Sequence, residues 1–208
     1  MKRNPVKTRA QILAAGMKEF SSRGFGGARI DRIVGRARCN VRMIYHHFGN
    51  KAGLYRAVLE QSYRGIRDQE AALHLENRPP LQSMVRLLEN TFEHSAANPD
   101  FVALLNNENL QRGRFVLRLK SITEMASPLR HALEVLIRRG EREGIFRKRI
   151  DPVQIYATVA AMSWFHLSNA YTLSAMFGRD LTDPAWRRQR RAHVRDVIMA
   201  YLTGEKTA

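Results

Sequence analysis

A single cysteine, Cys39, is the whole thiol complement of these 208 residues. That excludes an internal disulfide framework and suits a reducing compartment. Acidic groups are also scarce, 19 against 35 Lys and Arg, which leaves a formal net charge of +16. Runs in which β-branched and polar residues alternate are nearly absent, so strand signals are weak throughout. The chain lacks an uninterrupted apolar span: its longest apolar region, Val159 to Phe177, holds His166, Asn169 and several hydroxyls near its middle, the pattern of a buried helix and not of a membrane crossing. Met1-Lys2-Arg3 imitates the start of a leader, but the apolar run Ile12 to Met17 is short and is closed by Lys18 and Glu19. Enzyme signatures are missing too, with no Gly-rich phosphate loop, no HExxH and no nucleophile elbow, and His94, His131 and His166 have no recognisable partner pattern. We expect a soluble cytoplasmic protein with no membrane partner, no catalytic residues and no cofactor.

What remains is helix. Apolar spacing of three and four recurs along the chain, which reads as all-α. Ile12, Gly16, Met17 and Phe20 line one face of a first helix beginning near Thr8, and Arg23-Gly24-Phe25-Gly26-Gly27 stops it with residues that tolerate left-handed backbone. A second helix over about Arg29 to Arg36 buries Ile30, Ile33 and Val34. After a turn at Ala37 to Cys39, Asn40 caps a short third helix that runs through Phe48. Gly49 ends it, and Asn50 caps a fourth whose apolar face begins with Leu54, Tyr55, Val58 and Leu59.

This is the pattern of a helix-turn-helix, in which one short helix is held outward to enter the major groove. Ile44 and Phe48 anchor the third helix, leaving Asn40, Val41, Arg42 and Tyr45 exposed. Arg42 can donate two hydrogen bonds to guanine, Val41 can touch a thymine methyl, and Asn40 can cap the helix or reach adenine. Lys51 stands at a helix N-terminus, where backbone N–H groups and the helix dipole favour a phosphate. Charge agrees with the motif, because Met1 to Glu60 holds 13 basic residues against three acidic ones, and such density neutralises phosphates and releases counterions. His46 and His47 do not read as metal ligands, since adjacent helical positions point apart and no Cys or carboxylate completes a set.

The string Gly24-Phe25, then Ile30-Asp31-Arg32-Ile33-Val34, Ala37 and Ile44-Tyr45-His46-His47-Phe48-Gly49-Asn50-Lys51-Ala52-Gly53-Leu54-Tyr55, resembles the DNA-binding domain of TetR-type transcriptional regulators. The resemblance covers roughly the first quarter of the chain. It implies a homodimer of all-helical subunits, each with an N-terminal three-helix domain on DNA and a larger C-terminal domain for ligand binding and dimerisation, and it implies repression. Carried over by position, Tyr45 and His47 contact DNA backbone or bases, Lys51 a phosphate, and Val41, Arg42 and Met43 supply sequence-specific contacts. Three departures matter. Arg38 stands where the family's turn has glycine, and a positive φ there costs a residue with a Cβ about 1–2 kcal/mol. Asn40, Arg42, Met43 and His46 replace the commoner residues of the reading helix, so the operator does not follow by analogy. Arg29 replaces the usual threonine cap of the second helix, which assigns that cap to another group; Arg29 and His46 complete our DNA-facing set.

Beyond Arg64, Asn77-Arg78-Pro79-Pro80, Asn98-Pro99-Asp100, Ser127-Pro128, Gly144 and Asp151-Pro152 punctuate further helices. We expect them over about Leu54 to Glu76, Leu81 to Ala97, Phe101 to Asn109, Phe115 to Met125, Leu129 to Glu143, Val153 to Phe177 and Ala185 to Leu202. The last repeats Trp186, Val194, Val197, Ile198, Tyr201 and Leu202 at helical spacing, and the one before it carries Ala157, Ala160 and Ala161. Pairing of both with their symmetry mates makes an isologous four-helix interface, against the alternative of an ordinary internal core. We divide the chain into a DNA-binding domain over residues 1–53 and a helical effector-binding and dimerisation domain over residues 54–208. Phe101, Leu105, Asn109, Phe115, Trp164, Phe165, Ser168 and Asn169 mix aromatic bulk with amide or hydroxyl groups and form the candidate ligand pocket. The expected function is a dimeric repressor of a palindromic site on double-stranded DNA, released by a small-molecule effector. The alternative is a constitutive or architectural DNA-binding protein without an effector.

Overall fold

The structure is a computed structural model and describes residues 5–204. Met1-Lys2-Arg3, weighed above as a possible leader, lies outside the described residues. No strand occurs among those described, and ten α-helices carry the chain: α1 (Pro5–Gly27), α2 (Ile30–Ala37), α3 (Val41–Phe48), α4 (Lys51–Ala71), α5 (Pro80–Ala97), α6 (Pro99–Leu110), α7 (Lys120–Arg142), α8 (Pro152–Ser168), α9 (Ala170–Phe177) and α10 (Pro184–Thr203). None of these helices is long and apolar enough to cross a membrane.

By contacts the chain divides into two compact units. One comprises the residues up to Gly65 with Pro99–Glu124, the other Ile66–Asn98 with the chain from Met125 onward. In the first, Ile12, Phe20, Ile33, Ile44, Leu54, Tyr55 and Leu59 form one buried cluster joined by Leu104 of α6. At Gly24 the backbone turns to φ 63, which breaks the helical run of α1. Two groups join α6 to α1. The Asn107 amide donates to the Phe20 and Ser21 carbonyls at 3.3 and 2.9 Å, and Asp100 accepts from the Ser21 hydroxyl at 3.0 Å and pairs with Lys18.

In the second unit α5 and α8 pack together, and Met84, Leu87, Leu88, Leu133, Leu136, Ile155, Val159, Val194 and Ile198 share a core. Two helix starts carry aspartate caps, the expected one at Asp151 and a second, not expected, at Asp183. Asp151 accepts from the Val153 N–H at 2.7 Å and Asp183 from the Ala185 N–H at 3.1 Å, each followed by a proline at the first helical position. Gly140 is required by a close approach, because a Cβ there would stand 2.1 Å from the Phe146 ring.

Several expected boundaries move. The first helix begins at Pro5, which suits an N1 position, and α4 ends at Ala71 before a 3₁₀ turn over Leu75–Asn77. The two helices expected on either side of Pro128 are one, α7, preceded by a 3₁₀ turn over Val116–Arg118. Pro128 lies on the exposed face, while Leu129, Leu133, Leu136 and Ile137 are buried and hold the helix through the proline. Conversely, the single helix expected over Val153 to Phe177 breaks at Asn169 (φ −113°, ψ 15°), whose amide donates to the Phe165 carbonyl at 2.9 Å. That local bond competes with helix continuation. On α10, Val194, Ile198 and Leu202 are spent in the unit's own core, whereas Tyr201 is exposed and Val197 and Trp186 are half-buried.

Candidate nucleic-acid interface

The basic N-terminal segment contains one acid that is almost wholly buried, Glu19, at 2 % exposure. Its carboxylate accepts the Arg29 backbone N–H at 3.2 Å and faces the Arg32 and Arg36 guanidiniums at 3.4 and 3.9 Å. Arg29 is the N-cap residue of α2 and has no side-chain cap of its own. Glu19 therefore supplies, from α1, the acceptor that a capping-box acid ordinarily supplies from within the helix.

At the other end of α2, Arg38 adopts φ 51, ψ 43. Its N–H bonds the Gly35 carbonyl and that of Cys39 the Val34 carbonyl, both at 3.3 Å. This is a left-handed helix stop built on an arginine. Asn40 then turns its Oδ1 back to accept the Arg42 N–H at 2.9 Å, so in this structure it caps α3.

Ile44 is fully buried and pins α3, with Met43 and Phe48 half-buried against the same core. Outward from α3 stand Val41, Arg42, Tyr45 and His46, with Tyr45 at 53 % exposure. His47 is half-buried with its ring 5.1 Å from that of His46, and its Nε2 has no partner. Burial holds its pKa below the ordinary value, helped by the charges of His46 and Arg9. Met43 and His47 thus sit at the edge of the exposed face, while Val41, Arg42, Tyr45 and His46 form it.

Gly49 closes α3 at φ 74. Asn50 accepts the Gly53 N–H at 2.8 Å and starts α4. Position 53 has to be glycine, because a Cβ would stand 1.9 Å from the Phe48 carbonyl oxygen. Lys51 follows the cap with its Nζ 4.8 Å from the centre of the Phe25 ring, and the Arg9 guanidinium lies 5.4 Å over Phe48. These aromatic faces hold cations beside the short helix. Among the described residues no group of three His, Cys, Asp or Glu side chains could hold a metal ion.

Sequence reasoning gave Glu19, Arg9, Phe25 and Gly53 no part in shaping this face. For Glu19 a signal existed, since it lies seven residues beyond Ile12 on the face that buries Phe20.

The eight residues expected to line a ligand pocket fall four in each unit. Phe101, Leu105 and Phe115 are buried in the first unit, Phe115 against Phe25 and Tyr55 at 4.5 and 4.9 Å, and Asn109 is exposed with its amide on the Leu105 carbonyl. In the second unit Trp164 and Asn169 are half-buried and Ser168 and Phe165 exposed. Of the cavities in that unit, two concern this expectation. One, of about 370 Å³, has Arg67, Glu70, Leu75, Met125 and Leu129 in its wall; the other, of about 400 Å³, includes Phe165, alone of the expected eight. At the first, Arg67 bonds Glu70 at 2.7 Å and the Tyr156 hydroxyl at 2.6 Å. Burial raises the Glu70 carboxyl to about 7 despite the opposing effects of Arg67 and Tyr156.

Residues 12–58 match the model of the bacterial regulatory proteins of the tetR family, and residues 80–198 match a tetracyclin repressor-like C-terminal domain. The chain is 34% identical over 177 residues to the HTH-type transcriptional repressor NicS of Pseudomonas putida, covering 85% of this chain and 84% of that protein. It is 30% identical over 164 residues to the HTH-type transcriptional repressor SCO4008 of Streptomyces coelicolor, covering 78% and 80%. A solved structure of the putative transcriptional regulator SCO4942 of Streptomyces coelicolor superposes with a TM-score of 0.72 at 24% identity, over 94% of this chain and 98% of that one. This last likeness concerns the fold alone.

Proposed function

The chain belongs to the TetR family of bacterial regulators, and from that premise we propose that it is a homodimeric transcriptional repressor that reads a palindromic operator with α3 and is released by a small-molecule effector. One observation carries the reading: Ile44 is buried beneath α3 while Val41, Arg42, Tyr45 and His46 face outward beside Lys51. Arg42 and Val41 supply base contacts. Tyr45, His46, His47, Lys51 and Arg29 act on backbone or groove edges, Met43 bears on the base-reading face from its edge, and Asn40 fixes the helix start. Residues 1–53 are the DNA-reading domain in this proposal, and residues 54–208 the controlling one, working in the cytoplasm without a catalytic step.

Dimerisation is assigned to α8 and α10, whose outward residues include Ala157, Ala161 and Tyr201. Two copies on a twofold axis double the contacts to a symmetric site. Effector control draws support from α4. The same helix bears Lys51 at its start and, near its end, Arg67 and Glu70 in a cavity wall. A ligand bound there acts on the helix that begins beside the reading head, and its effect is a change in the separation of two recognition helices from the one-turn spacing of about 34–36 Å. The names of the relatives NicS and SCO4008 as repressors favour repression.

The test is to recover genomic fragments bound by the purified protein and measure affinity for them at fixed salt. We expect dimers with strong preference for a few sites, and weakened binding by Tyr45→Ala and Lys51→Ala. A monomer, a preference near one across all duplexes, or a double variant that binds like wild type overturns the proposal.

A further inference from the structure

The inward face of α8 carries Ile155, Val159, Ser163 and His166. The first two belong to the core, but Ser163 and His166 bring polar atoms inside. His166 is 2 % exposed, and its imidazole faces the Met162 backbone without closing a well-formed hydrogen bond; the buried Ser163 hydroxyl has no partner. Buried polar atoms are ordinarily paired, and an orphaned one calls for a reason.

His166 is held between aromatic rings. It stacks on Phe92 at 5.0 Å and 18°, and Trp186 lies 5.7 Å away. It also forms part of the wall of the 400 Å³ cavity between α8, α9 and α10. Leu173, Phe177 and Leu181 contribute an apolar wall there, and two guanidiniums, Arg179 and Arg190, complete it without any carboxylate. The two arginines are not equivalent. Arg179 donates to the Gln189 side chain at 3.2 Å, whereas Arg190 forms no ion pair among the described residues and its buried Nε is unpartnered. Burial lowers the pKa of Arg190, and it holds His166 near 4, so the imidazole is neutral at pH 7.

From this cavity, its apolar wall and its unpaired Arg190 guanidinium we infer a binding site for a monocarboxylate with an apolar acyl body, distinct from the cavity beside Arg67. The carboxylate fits Arg190, whose planar fork matches two oxygens and whose charge has no counterion. Leu173, Phe177 and Leu181 receive the acyl body, in the usual division of labour between apolar walls and a few orienting polar groups. Arg179 also has no carboxylate partner among the described residues, since Gln189 is neutral, so it is the apolar wall that favours a carboxylate with an acyl body over a strongly hydrated phosphate dianion. The inference concerns ligand binding alone and holds whether or not the chain reads an operator.

The experiment uses the full-length protein and octanoate as probe, with octan-1-ol and octylammonium as controls of equal chain length, read by titration calorimetry and by the combined fluorescence of Trp164 and Trp186. We expect saturable octanoate binding at least tenfold tighter than either control. Arg190→Gln is expected to weaken octanoate at least tenfold without changing octan-1-ol, while Arg190→Lys retains most of the affinity. Absent or unsaturable octanoate binding, equal affinity for octanoate and octan-1-ol, or an Arg190→Gln protein that binds octanoate like wild type overturns the site. The wild-type comparison of the three probes decides even if a variant fails to fold.

Discussion

The Glu19 carboxylate accepts the backbone N–H of Arg29 at 3.2 Å, ten residues away across the α1–α2 turn. In a segment where nearly every charged group is basic, this acid also faces Arg32 and Arg36. Both guanidiniums are partly in water, so the pairs themselves add little; the helix cap and the buried acceptor matter more. Glu19→Ala should lower the stability of the N-terminal unit by about 1–3 kcal/mol and Glu19→Gln by less, since the amide keeps an acceptor for Arg29. Urea unfolding of the two variants checks this, and an alanine variant as stable as wild type contradicts it.

Arg38 offers a test of opposite sign. Its φ of 51 is a conformation that glycine adopts without cost, and its side chain is exposed. Arg38→Gly should therefore raise stability by about 1 kcal/mol. A lower unfolding midpoint would show that the arginine makes a contact worth more than the strain.

These two residues also mark what could be read from sequence and what could not. The buried Ile44, the Gly49 stop and the Asn50 cap were legible because each is set by neighbours within one helical turn. The unusual Arg38 was legible for the same reason. The source of the α2 cap was not, because it comes from another helix. The packing of α6 on α1 through Asn107 and Asp100 leaves no local period at all. Pro128 and Asn169 misled in opposite directions: a proline on an exposed face was tolerated inside α7, and an asparagine amide ended α8 where hydropathy continued. Phe101, Leu105 and Phe115 read as pocket candidates by composition, and burial in a core uses the same residue types.

Arg42 and Lys51 should separate by the kind of binding they support. Arg42→Ala is expected to cost about 1–3 kcal/mol on the preferred operator and to relax preference at one base pair per half-site. Lys51→Ala should weaken all duplexes alike and reduce the slope of log affinity against log salt by about one. Competition binding over a set of single-base operator variants at several salt concentrations measures both. Unchanged base preference in Arg42→Ala removes it from direct readout.

His166 predicts a pH dependence of stability with a definite sign. Its ordinary value is 6.5 and burial depresses it to about 4 in the folded protein, with the charges of Arg190 and Arg187 working in the same direction and the Met162 backbone opposing them. Between those values the unfolded chain holds a proton that the folded protein does not. The neutral ring's advantage is therefore fully present above about pH 6.5 and is lost as pH falls toward 4, to the extent of roughly 3 kcal/mol at most. His94, lowered by burial and by Arg67, adds to this trend. Glu70 opposes it: its carboxyl is raised from 4.5 to about 7, so its contribution is lost as pH rises through that range. The two effects overlap in the wild-type curve, and a difference measurement separates them. His166→Leu removes a titrating, poorly paired imidazole while keeping apolar bulk between Phe92 and Trp186. Relative to wild type, its unfolding free energy should gain steadily as pH falls from 6.5 to 4.5; a difference that stays constant across that range would mean that the imidazole takes up its proton in the folded protein as readily as in the unfolded chain.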